Sequence, residues 1–185
     1  MSDERERVRV ALARLARLEE RLGGRACLVG GAALIARAFV RATRDLDVIV
    51  AASEWDVDRL LVVAREVGYA TDAVDRELAD VGILRVAAPE VRGMPVDLIL
   101  ADAPFLDEVL RRASPVDVGG STLLVATLED LVLLKLDAHR PRDIDDVLAI
   151  KDAAADQLDR AYLERWATEL GVLDRLRLYL DSPET

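Results

Sequence analysis

The sequence contains one cysteine and one histidine, Cys27 and His139, in 185 residues. A single thiol excludes an internal disulfide framework, and a single imidazole excludes a multi-histidine metal cage. Aromatic residues make up 4%, too few for a platform on which single-stranded nucleic acid could stack. No uncharged apolar run reaches the roughly 18 residues of a membrane span. The opening stretch, Ser2-Asp3-Glu4-Arg5-Glu6-Arg7, is charged and lacks the apolar segment of a signal peptide. These absences lead to the expectation of a cytoplasmic protein without a membrane association. Lysine is scarce as well: Lys135 and Lys151 are the only two among 25 basic residues, a bias toward arginine that a GC-rich genome accounts for.

What is present is a globular composition, 52% hydrophobic and 32% charged. At about 150 residues per domain the length predicts one domain, or one domain with a small helical appendage. Acids outnumber bases 35 to 25, and the net charge of −10 opposes nucleic-acid binding by the surface as a whole.

Hydrophobic periodicity places the elements. Val8, Leu12, Leu15, Leu18 and Leu22 recur at spacings of three and four, an amphipathic helix closed by Gly23-Gly24. Residues 26–29 read as a buried strand running into Gly30-Gly31, followed by a helix over 32–40. A second strand is expected over 46–50 and a helix over 57–67. Strands follow at 82–88 and 95–100, separated by a turn over 89–94. A helix is predicted over 105–112 and a hairpin over 116–125, around Gly119-Gly120. From Thr127 onward all is helix: Thr127-Leu128-Glu129-Asp130 resembles a capping box, Pro141 breaks the first helix, another starts near Ile144, and two more fill 159–180. The organisation expected is an α/β (α+β) core over residues 1–125 and a C-terminal helical lobe over 126–185 packed on it.

The constellation with chemical content is Leu28-Val29-Gly30-Gly31 and, after thirteen intervening residues, Asp45-Leu46-Asp47-Val48. A strand that runs through two glycines into a helix lets backbone N–H groups approach a phosphate. Asp45 and Asp47, two apart on a strand, share a face, with bases about 7 Å apart. Such carboxylates can hold Mg²⁺, which takes a few acids together with waters and substrate phosphates. Asp97, an acid inside the apolar strand 95–100, is the candidate third ligand for a two-metal site of in-line phosphoryl transfer. The competing reading is a solvated strand edge, since Asp-x-Asp also occurs at 56/58 and 143/145. Asp56 and Asp58 sit at a helix start, where acids complement the dipole, and are read as structural. Cys27 is read as core, and Trp55 and Trp166 as packing residues.

This pattern resembles the signature of the polymerase-β-type nucleotidyltransferase superfamily. The flank Arg41-Ala42-Thr43-Arg44 ahead of Asp45 resembles the Arg-x-Thr-x-Asp-x-Asp form of its minimal and AbiEii-like (type IV toxin–antitoxin) branches. A second stretch, Lys135 through Asp146, resembles the AbiEii-like helical motif: a lysine on an apolar helix, a basic residue about five later, then Arg-Asp-x-x-Asp. The resemblance implies a nucleotidyltransferase fold, with a short mixed β-sheet and flanking helices. It implies that Asp45, Asp47 and Asp97 are metal ligands and catalytic residues. Gly30, Gly31 and Thr43 would bind the nucleotide, Lys135 would contact its phosphates with Arg140 assisting, and Asp143 would be a polar active-site residue. The alternative for Asp143 is a cap on the following helix, with Asp145 and Asp146 complementing its N-terminus.

The activity implied is Mg²⁺-dependent transfer of a nucleoside monophosphate from an NTP to an acceptor hydroxyl on RNA, protein or a small molecule. A toxin or defence role with a cognate antitoxin or toxin partner goes with it. Two other functions remain open: a catalytically weak nucleotide- or protein-binding module resembling an antitoxin, and an aminoglycoside-type adenylyltransferase whose cationic acceptor the acidic chain would suit.

Overall fold

The computed structural model describes residues 2–52, 56–71, 76–89 and 95–181. The chain divides into two compact units, Met1–Ala126 and Thr127–Thr185.

The first unit is built on a six-stranded sheet. Its strands are β1 (Ala26–Val29), β2 (Leu46–Ala51), β3 (Ile83–Ala87), β4 (Pro95–Ala101), β5 (Ser114–Val118) and β6 (Ser121–Val125). Their order across the sheet is β3-β4-β2-β1-β6-β5. The central β2–β4 and β1–β6 pairs are parallel; β1–β2 and the two outer pairs are antiparallel. The helices are α1 (Ser2–Arg21), α2 (Gly30–Ala36), α3 (Val57–Glu66), α4 (Arg76–Asp80) and α5 (Pro104–Arg112). The sequence expectation of a mixed sheet with flanking helices is met. The segment 90–94 of the expected turn, and Trp55, lie outside the described residues.

Period-two alternation divides the sheet into two faces. Leu28, Val48, Leu98 and Leu84 lie abreast on four neighbouring strands, and all four are fully buried. This face carries α1 and α2: Val8 and Leu12 of α1 and Ala32 and Ile35 of α2 border a cavity of about 90 Å³ together with Leu28 and Leu46. The opposite face presents Val29, Asp47, Asp97 and Arg85 in the same register.

Two polar side chains repair gaps in the sheet. Glu19 of α1 is buried, and its Oε2 accepts the Leu124 N–H at 2.9 Å; its Oε1 has no hydrogen-bond partner among the described residues. Burial pushes this carboxyl up to about 7 against the partial relief of the Leu124 bond. Arg37, at the end of α2, donates to the Ala126 carbonyl at 3.1 Å and to the Val125 carbonyl and Ser114 Oγ at 2.8 Å each.

One boundary differs instructively from the expectation. α2 starts at Gly30, not Ala32, and ends at Ala36, not Val40. Only Gly30 takes the left-handed backbone, at φ +65°, while Gly31 is already helical. The helix stops early because Ala38 turns to φ +70°, beyond which the chain is irregular until β2.

The second unit consists of α6 (Leu128–Ala138), α7 (Pro141–Ala154), α8 (Arg160–Glu169) and α9 (Leu173–Leu180). Thr127 caps α6 by accepting the Asp130 N–H. The fully buried Asp130 accepts the Thr127 hydroxyl at 2.8 Å and the Tyr162 hydroxyl at 2.5 Å, tying α6 to α8. His139 ends α6 in the left-handed region at φ +48°, with its Nε2 3.1 Å from the Tyr179 hydroxyl. α7 begins at Pro141 rather than Ile144, because a proline's missing N–H and fixed φ suit the first helical position. No helix among the described residues is long and apolar enough to cross a membrane.

Candidate functional site

The site is assembled where β1 runs into α2 and the irregular segment returns to β2. Gly30 has no Cβ for a local reason. A Cβ there would overlap Oδ2 of Asp47 and would stand 3.0 Å from its Cγ. The Asp47 carboxylate therefore lies directly over the Gly30 Cα. Gly31 is used in the same way: a Cβ would stand 3.0 Å from Thr43 Oγ1 and Arg41 Nε, and 3.1 Å from Arg41 Cζ. The two glycines thus admit three side chains of the chain itself, Asp47, Thr43 and Arg41, into one close-packed corner.

Thr43 anchors the segment that carries the next acid. Its hydroxyl donates to the Asp45 carbonyl at 3.0 Å and lies 3.3 Å from Asp45 Oδ1. Asp45 precedes β2, and both Asp45 and Asp47 are partly exposed. Asp47 is the register partner of Asp97 on the parallel strand β4, so the two are neighbours at a strand spacing of about 4.8 Å. Asp97 is buried, at 8% exposure. Both of its oxygens are taken by Arg85, its register partner on β3: Nε to Oδ1 at 2.7 Å and one terminal nitrogen to Oδ2 at 2.6 Å.

Among the described residues no three His, Cys, Asp or Glu side chains form a group that could hold a metal. Asp45 and Asp47 still offer hard oxygen donors at a partly exposed corner. That donor set fits Mg²⁺, which commonly takes one or two carboxylates and completes its shell with water and substrate phosphate.

The remaining expected site residues lie in the second unit and form a cluster of their own. Lys135 is buried, pairs with Asp146, and lies 3.5 Å from Asp143. Asp143 is buried in turn and accepts from Arg140 Nε at 2.7 Å and from the Arg140 N–H at 3.1 Å. Burial alone would raise the Asp143 carboxyl; the Arg140 hydrogen bonds and the charges of Lys135 and Arg140 outweigh it and hold it below the usual range. Asp143 also closes a capping box with Arg140 at the start of α7.

Sequence reasoning missed Arg85 and Glu19. A signal existed for each. Arg85 interrupts the strand Ile83-Leu84-Arg85-Val86-Ala87, and Glu19 falls four residues after Leu15 on the apolar face of α1.

Comparison with known proteins agrees with this architecture. The model of a family described as nucleotidyltransferase of unknown function (DUF6036) matches residues 7–176. No curated protein matches the chain. Among solved structures, JHP933 from Helicobacter pylori is similar with a TM-score of 0.52 at 16% identity, over 92% of this chain and 77% of that one. A candidate nucleotidyltransferase from H. pylori is similar with a TM-score of 0.51, also at 16% identity, over 93% of this chain and 80% of that one. At such identity the likeness shows the fold.

Proposed function

Since the chain belongs to this family of nucleotidyltransferases of unknown function, we propose that it transfers a nucleoside monophosphate from an NTP to an acceptor hydroxyl, with release of pyrophosphate. The observation that carries the reading is the Gly30–Asp47 contact. The glycine signature and the acid pair, separate in sequence, meet in one corner beside Asp97.

In this proposal Asp45 and Asp47 hold Mg²⁺, which when bound supplies charge neutralisation for the transferring phosphate. Gly30 and Gly31, having no side chains, make room for Asp47, Thr43 and Arg41 in that corner. Thr43 ties down the Asp45 backbone through its 3.0 Å bond to the carbonyl and lies 3.3 Å from the carboxylate. Asp97, alongside Asp47 and held by Arg85, would complete the metal site when that guanidinium withdraws. Little covalent help from the protein is needed, because positioning and electrostatics account for most of the catalysis in phosphoryl transfer.

The second-unit residues receive a different assignment. Lys135 satisfies Asp146 and Asp143, and Arg140 satisfies Asp143. We assign this cluster to the integrity of the helical unit, because Lys135 is buried and its charge is already matched by Asp146 and Asp143. An AbiEii-like toxin or defence role, with a partner protein, rests on the Arg41-x-Thr43-x-Asp45-x-Asp47 run. The acidity of the chain favours a cationic small molecule or a protein over RNA as acceptor.

The test is incubation of the purified protein with each labelled NTP, Mg²⁺ and, separately, total RNA, total protein and a panel of aminoglycosides. Label transferred to one acceptor class, and lost in Asp47→Asn, supports the reading. Absence of transfer, coupled with nucleotide binding that ignores Asp47, would favour a silent binding module.

A further inference from the structure

We propose that Arg85 is the resident counter-cation of Asp97 and competes with a divalent metal ion for that carboxylate, so that its release gates completion of the metal site. The inference rests on the reading of Asp45 and Asp47 as metal ligands and goes beyond it. It assigns a regulating role to a residue outside the acid signature.

The geometry is specific. Asp97 sits on a central parallel strand with its side chain 11% exposed, where a carboxylate without a partner is costly. Arg85 meets it with two parallel N–H donors at 2.7 and 2.6 Å, the fork arrangement that engages both oxygens at once. While the fork is in place, one lone pair of each Asp97 oxygen is engaged and the carboxylate's charge is already matched. The guanidinium also sets a positive charge beside any cation seated at Asp47. A metal bridging Asp47 and Asp97 therefore competes with Arg85 for the same carboxylate charge.

The fold leaves room for that displacement. β3 is the end strand of the sheet, and the Arg85 side chain is 48% exposed although its partner is buried. Its long stem can turn outward from the edge without disturbing the β3–β4 ladder, and its charge can be hydrated there. The metal-free protein thus keeps Asp97 neutralised, and metal with substrate phosphate would exchange one cation for another.

The test is Mn²⁺ binding followed by electron paramagnetic resonance, with no turnover involved. The proteins are wild type, Arg85→Gln, Asp97→Asn, the Arg85→Gln/Asp97→Asn double variant, and Asp45→Asn/Asp47→Asn as control. Arg85→Gln is expected to bind Mn²⁺ about tenfold more tightly than wild type. The gain should vanish in the Asp97→Asn background, because there is no carboxylate left to liberate.

Unchanged or weaker binding in Arg85→Gln overturns the proposal. So does a gain that persists with Asp97→Asn, since Arg85 would then act as a distant charge only. If circular dichroism shows that Arg85→Gln does not fold, Arg85→Lys serves: it keeps the charge, loses the fork, and should gain about threefold. Wild-type binding that is lost in Asp45→Asn/Asp47→Asn but unaltered by Arg85 substitution refutes this inference alone. Absence of Mn²⁺ binding in every variant refutes the metal reading of the site and this inference with it.

Discussion

Replacing Gly30 by alanine tests the corner on which the site is built. The residue has φ +65°, where a side chain costs about 1–2 kcal/mol through contact with its own backbone. The new methyl also overlaps Asp47 Oδ2 and stands 3.0 Å from Cγ and 3.2 Å from Cβ of the same residue. Rotating the carboxylate away relieves the first two contacts. The third is fixed by the course of β2, and overpacking of this kind costs about 1–3 kcal/mol. Gly30→Ala should therefore lose about 2–5 kcal/mol in urea unfolding. The informative comparison repeats the change in an Asp47→Ala background, which removes Oδ2 and Cγ. There the cost should fall by about 1 kcal/mol or more, a coupling expected only for residues in contact. Equal costs in the two backgrounds would mean that the carboxylate does not rest on Gly30, and the corner as described would be wrong.

Glu19 makes stability depend on pH. Its carboxyl titrates near 7 in the folded chain against 4.5 ordinarily, so the stability it permits is full below pH 4.5 and is lost as pH rises to 7. The loss amounts to at most roughly 3 kcal/mol, and Glu19→Gln should abolish it, leaving a variant more stable than wild type at pH 8 in parallel urea titrations. Lys135→Met should destabilise by about 3 kcal/mol, because Asp146 and Asp143 are left near each other with less compensation. Asp143, whose carboxyl is held low, contributes stability that is present above its ordinary range and lost as pH falls through the lowered value. An acid titration followed by circular dichroism should show this loss shrinking in Asp143→Asn.

Much of the first unit was legible because its elements are periodic or sharply bounded. β1 is a short apolar run ending in glycine, and α3 carries Leu60, Val63 and Ala64 on one buried face behind the Asp56 cap. α4 is five residues long and too short for a period to appear. The start of α2 was misplaced because Gly-Gly reads as a turn by propensity, whereas only Gly30 needs the positive φ and Gly31 serves the close approach of Thr43 and Arg41. Asp45, Asp47 and the glycines were recognisable from spacing. The hold of Arg85 on Asp97 was not, since it depends on the register between β3 and β4. Lys135 illustrates the same limit from the other side. The resemblance implied a phosphate contact for Lys135, but the partners that surround it, Asp143 and Asp146, come from the next helix, and their approach depends on how α6 and α7 pack.

The central claim is that Asp45 and Asp47 form the metal-dependent nucleotide site of a nucleotidyltransferase. Thermal unfolding of wild type and Asp45→Asn/Asp47→Asn, each alone and with Mg²⁺ and NTP, tests it most directly. Without ligand the double variant should be as stable as wild type or more so, by roughly 0.5–2 kcal/mol, since two neighbouring carboxylates repel. With NTP at about a hundred times its dissociation constant, the wild type should gain about 2.7 kcal/mol, a rise in Tm of roughly 5–10 °C for a chain of this size. The variant should gain nothing. If the two proteins melt alike under both conditions, the acids are ordinary surface residues and the account fails.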